Sequence, residues 1–133
     1  MKITNKMIYR VAMEQSALDA NCSPEDFLKE ENVICISKEN TLARRYLKLP
    51  HSCNLISYGS NIVATISEEY EGIVKDYISK YAVEHCFETP NMHVLNDAFQ
   101  EKGLRVCFMA EYFLPDVNVL RPLSCEYDLK VLE

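Results

Sequence analysis

Residues 53–81 constrain the fold most tightly. Two strand-like runs, 53–58 (CNLISY) and 62–67 (IVATIS), flank Gly59-Ser60-Asn61. A glycine beside small polar residues supplies the backbone angles of a tight turn, so the pattern predicts a hairpin. The second run passes directly into EEYEGIVKDYISKY. Ser67 is placed to cap a helix there, and Glu68, Glu69 and Glu71 load the positive end of its dipole. Tyr70, Ile73, Val74, Tyr77, Ile78 and Tyr81 recur at helical spacing and form one apolar stripe. A hairpin whose second strand feeds an amphipathic helix requires a sheet with a helix packed on it.

The remaining segments fit around that unit. Met7, Ile8, Val11 and Leu18 recur at helical spacing with charges between them, which predicts a helix over 5–20 that stops at Asn21. Ser23-Pro24-Glu25-Asp26 restarts a short helix, because serine caps, proline suits the first helical position and acids favour that end. Residues 32–37 (NVICIS) are β-branched and read as a strand, and 42–47 read as a short helical piece ended by Pro50. Thr89-Pro90 opens a helix that buries Met92, Leu95 and Phe99 and stops at Gly103. Residues 104–114 (LRVCFMAEYFL) alternate like a long strand, and 127–132 (YDLKVL) begin another. The expected fold class is α+β, a mainly antiparallel sheet with packed helices.

The chain has 133 residues, 48% of them hydrophobic and 26% charged, which suits one domain with an ordinary core. A net charge of −6 argues against a phosphate-backbone binder, and the one basic run, 43–48 (ARRYLK), is too short to reverse that. Lys6, Arg10 and Glu14 interrupt every apolar run near the N-terminus, so neither a signal peptide nor a membrane span is expected, and the location is expected to be cytoplasmic. There the six cysteines stay reduced, and their scatter contains no CxxC or other paired ligand spacing.

Residues 84–93 (EHCFETPNMH) concentrate donor groups. His85, Cys86, Glu88 and His93 have the chemistry of metal ligands, but His85 and Cys86 are neighbours in an expected strand and point to opposite faces. A Cys86 nucleophile needs an imidazole, for which His93 is the candidate, yet nothing supplies an oxyanion hole or an orienting third group. The structural alternative makes Val83, Cys86 and Phe87 half-buried strand residues leading into the Thr89-Pro90 cap. The three glycines are too dispersed for a phosphate-binding loop, and 100–105 (QEKGLR) runs from helix to strand, opposite to what pyrophosphate binding needs.

Longer phrases carry a resemblance. Residues 13–17 (MEQSA), 21–28 (NCSPEDFL) and 55–64 (LISYGSNIVA), with EHCFETPNMHVLN at 84–96 and VCFMAEYFLPDVNVL at 106–120, look like the N-terminal region of a clostridial-type bacterial N-acetyltransferase of the GNAT superfamily. The resemblance covers nearly the whole chain. It implies that 1–126 form a GNAT-associated N-terminal domain, and that 127–133 begin the catalytic GNAT domain or end in an expression remnant. It also implies that acetyl-CoA is the cosubstrate of the parent enzyme, bound outside this segment, and that the segment alone carries no catalytic or metal-binding residue. The partners implied are the C-terminal catalytic half and a small amine acceptor, with neither nucleic acid nor membrane. Glu88, His93, Glu111 and Tyr112 are the residues expected to face substrate, as an acidic and aromatic surface for a cationic group. The competing reading is a stand-alone ligand or protein binding module without catalytic activity.

Overall fold

The computed structural model describes residues 2–121 together with 124, 126 and 127. The fold is α+β: helices α1 (Asn5–Ala20), α2 (Glu71–Lys80) and α3 (Thr89–Gln100) pack on three strands, β1 (Val33–Ile36), β2 (Cys53–Ile56) and β3 (Val63–Ile66). Short 3-10 turns occupy Pro24–Leu28, Glu68–Tyr70 and Glu84–Phe87.

The sheet is mixed rather than mainly antiparallel. Its order is β1-β3-β2, with β1 parallel to β3 and β2 antiparallel to it. The expected hairpin is β2–β3, and Gly59 takes the φ of 107° that its turn requires. The parallel pairing is extended by two crossing contacts, Val33 N donating to Ile62 O (2.9 Å) and Ser37 N donating to Ile66 O (2.7 Å). Asn32 Oδ1 also accepts from Ile62 N, so a side chain holds the register at the start of β1.

As the central strand, β3 is buried on both faces, which explains its unbroken VATI run. Ala64 and Ile66 join Val74, Tyr77 and Ile78 of α2 and Leu95 and Phe99 of α3 in the larger core. Val63 joins Met13, Ala17, Ala20 and Phe27 in a smaller core. Thr65 is wholly buried, and its hydroxyl donates to the Ala20 carbonyl (3.0 Å), tying β3 to the end of α1.

Both predicted helix stops hold. Asn21 adopts the left-handed conformation, with φ 55°, after α1. After α3, Gly103 has φ 75°; its N–H donates to Gln100 O (3.0 Å), and Leu104 N–H donates to Phe99 O (3.0 Å), a Schellman arrangement. Helix α1 presents a different face from the expected one. Met13, Ala17 and Ala20 are buried while Val11 is 63% exposed, because the small alanines in its second half allow close approach to β3.

Three expected elements are absent. Residues 84–87 form a 3-10 turn, not a strand. Their apolar positions 83, 86 and 87 satisfy i, i+3, i+4 as well as alternation, and a run this short does not separate the two periods. The 42–47 segment is a pair of turns closed by Ala43 N to Asn40 O and Leu47 N to Arg44 O, not a helix. Residues 104–114 form no strand: their alternating pattern is not paired to either outer strand, β1 or β2, of the sheet. The expected strand at 127–132 lies, but for Tyr127, outside the described residues.

Candidate functional site

The sequence-predicted substrate-facing residues do not converge on one cavity. Glu88 sits exposed between the third 3-10 turn and α3, and its Oε1 lies 3.9 Å from His85 Nε2, an open contact between two half-exposed side chains. His93 lines a groove of about 350 Å³ with Thr89, Met92, Asn96, Val106 and Met109. Glu88, Glu111 and Tyr112 are not among its lining residues. Glu111 is exposed, and Tyr112 is 70% exposed on the segment that follows the groove.

Cys86 is not an activated nucleophile. It is buried, its sulfur faces the Tyr81 carbonyl, and burial pushes its thiol above the ordinary range. Its own carbonyl accepts from the Tyr77 hydroxyl (2.9 Å), so the residue locks the 84–87 turn to α2. His85 and Cys86 do point apart, the first exposed and the second buried.

Residues 104–120 form an arm held at two places. Near its start, Val106 N–H donates to Asn96 Oδ1 (3.0 Å). Near its end, Asn5 makes a two-sided clasp: its Nδ2 donates to Asp116 Oδ1 (2.7 Å), and its Oδ1 accepts from Val117 N–H (2.8 Å). Between these anchors Phe108, Tyr112 and Phe113 are 71%, 70% and 86% exposed, and Val119 beyond the clasp is 69% exposed. Scattered apolar residues are normal on a surface; here several large ones are concentrated in one segment.

Asp19 organises the loop between β1 and β2. It is 4% exposed; its Oδ1 accepts from Arg44 N–H (2.9 Å) and Gln15 Nε2 (3.1 Å), while Arg44 Nε lies 2.8 Å from Oδ2 as an ion contact without an aligned hydrogen bond. His51 closes the same loop: its N–H donates to Ser37 Oγ (2.7 Å) and its carbonyl accepts from Ser67 Oγ (3.1 Å). Its buried Nε2 has no hydrogen-bond partner. Burial lowers its pKa below the ordinary 6.5, opposed more weakly by Asp19. On acidification from neutrality the unfolded chain therefore takes up this proton before the folded one does. Stability is full above pH 6.5 and falls as pH drops from there towards the lower folded-state value. The thermal midpoint is expected to decline over that window, and His51→Gln to flatten the profile. Equal slopes in the two proteins refute this assignment.

A second group of titratable side chains has no counterpart in the sequence pattern. Cys22, Asp26 and Cys35 bring one donor atom each to within 4.8 Å of one another, the one such cluster among the described residues. All three residues are half-buried. Burial, with Cys35 next in effect, pushes the Cys22 thiol up to about 12, and burial raises Cys35 as well. Asp26 is held below the usual carboxylate range, first by Lys29, whose Nζ lies 2.6 Å from Oδ1, and then by the Ser23 N–H (2.9 Å to Oδ2). Local spacing places only Cys22 and Asp26 together. Cys35 arrives because Asn21 Nδ2 donates to the Ile36 carbonyl (3.0 Å), strapping the end of α1 to the end of β1.

Among the described residues no helix is long and apolar enough to cross a membrane. Comparison with protein-family models, with curated proteins and with solved structures finds no significant match.

Proposed function

We propose that this chain is the non-cofactor, N-terminal domain of an acetyl-CoA-dependent N-acetyltransferase, and that its arm at 104–120 docks on the catalytic half of the same protein. The observation that carries the reading is the arm itself: strand-forming residues, clasped at Asn96 and Asn5, that leave Phe108, Tyr112 and Phe113 in solvent. Exposing such side chains forfeits about 1.5–3 kcal/mol each relative to burial, which a covering partner recovers. The resemblance of the longer sequence phrases supplies the identity of that partner. Glu111 lies on the arm with Tyr112, and on this reading both sit at the boundary with the catalytic half, where a cationic amine acceptor is received. Glu88 and His93, near the start of α3, are a separate surface on the acceptor side.

Hydrogen exchange tests the reading. Amides of 107–115 are expected to exchange rapidly in residues 1–133 alone and to be protected in the longer enzyme. Acetyl-CoA is expected to bind the longer enzyme and to give no calorimetric heat with residues 1–133. Equal exchange in the two proteins, or micromolar acetyl-CoA binding to residues 1–133, overturns it.

A further inference from the structure

We infer that Cys22, Asp26 and Cys35 form a binding site for a thiophilic divalent cation of the zinc class, at the junction of α1, the first 3-10 turn and β1. Two thiolates and one carboxylate are a donor set that zinc accepts and that the hard cations magnesium and calcium do not. The geometry is near that of a tetrahedral centre. With Zn–S near 2.3 Å, donors in such a centre stand about 3.7 Å apart, and the three here already lie within 4.8 Å of one another.

The surroundings suit a cation as well as the donors do. Ser23 N–H holds Asp26 Oδ2 and fixes the plane of the carboxylate, the orienting role that outer contacts play at metal sites. The other oxygen already faces a positive charge, the Lys29 ammonium at 2.6 Å. That side chain is 56% exposed and free to swing into solvent when a cation takes its place. Binding replaces the two thiol protons with the metal, releases both to solvent, and leaves the fourth coordination position to water at the half-exposed mouth. The donors come from three consecutive segments of chain, so the cation would join the ends of α1 and β1 more firmly than the Asn21 strap alone.

The test is titration of the reduced protein with Co²⁺, whose thiolate charge-transfer absorption and intense tetrahedral d–d bands report sulfur ligation, followed by displacement with Zn²⁺. One equivalent is expected to bind, and Zn²⁺ to bleach the spectrum and raise the thermal midpoint. Cys22→Ser and Cys35→Ser are each expected to abolish the charge-transfer band, and Asp26→Asn to weaken binding roughly tenfold or more. Cys107→Ser, at an exposed cysteine outside the cluster, is expected to leave the spectrum unchanged. Lys29→Ala alters an exposed side chain and removes the competing ammonium, so it is expected to tighten binding. Absence of the band in reduced wild-type protein, its survival in both serine variants, or weaker binding in Lys29→Ala overturns the assignment.

Discussion

Phe27→Ala is expected to lower stability by about 3–5 kcal/mol and the thermal midpoint by on the order of 10–20 °C. Phe27 is fully buried, and its ring meets Tyr58 edge-on at 5.0 Å between centroids. It is the largest side chain of the smaller core, whose other members are Met13, Ala17, Ala20 and Val63. Two of these are alanines, which cannot expand into the space a lost phenyl ring leaves, so the cavity persists and its full cost is felt. The 3-10 turn that carries Phe27 is anchored by Ser23 and Asp26, so the backbone does not collapse inward either. A loss on this scale is a large share of the total stability of a small domain, roughly 5–15 kcal/mol. Circular dichroism melting is the measurement, and a variant that melts within a degree or two of the wild type would show that the α1 side of β3 is not a rigid core. Phe27→Leu retains most of the volume and is expected to lose less than half as much.

Asn61 makes the second large prediction, for an opposite reason: it is polar and wholly buried. Its Nδ2 donates to the carbonyls of Asp26 and Glu31, both at 2.8 Å. The side chain thus closes the loop from the first 3-10 turn to β1 against the start of β3. Its orientation follows from chemistry, since a flipped amide would set Oδ1 against two carbonyl oxygens. Asn61→Ala leaves both acceptors without their donor and is expected to cost about 2–4 kcal/mol. Asn61→Asp has nearly the same shape but places a carboxylate against the two carbonyls. It is expected to destabilise at least as much at neutral pH and to recover in part on acidification, when one oxygen regains a proton to donate. Denaturant unfolding at two pH values separates the substitutions. If Asn61→Asp is no more sensitive to pH than the wild type, the two carbonyl contacts are not what holds Asn61.

Periodicity reached the elements that are long or punctuated. The α2 stripe, the Thr89-Pro90 start of α3, the stops at Asn21 and Gly103 and the β2–β3 hairpin all follow from local rules: side-chain period, caps and permitted φ. The short run at 83–87 did not resolve by period, and alternation at 104–114 gives a side-chain period without naming a backbone to pair with. Sheet order was equally illegible, because the parallel union of β1 with β3 rests on Asn32 and on contacts between segments some thirty residues apart.

The cysteines show the same division. Searching for paired ligand spacing passes over Cys22 and Cys35, which lie too far apart in the chain to form a local motif. They meet because Thr65 binds the last carbonyl of α1 and Asn21 reaches across to β1. The amino-acid order on its own settled which segments become helix or hairpin, since those choices rest on neighbours within a few residues. The mixed sheet, the buried face of α1, the exposed arm and the Cys22–Asp26–Cys35 cluster were decided by tertiary packing, because each depends on which distant backbone groups a buried side chain must satisfy.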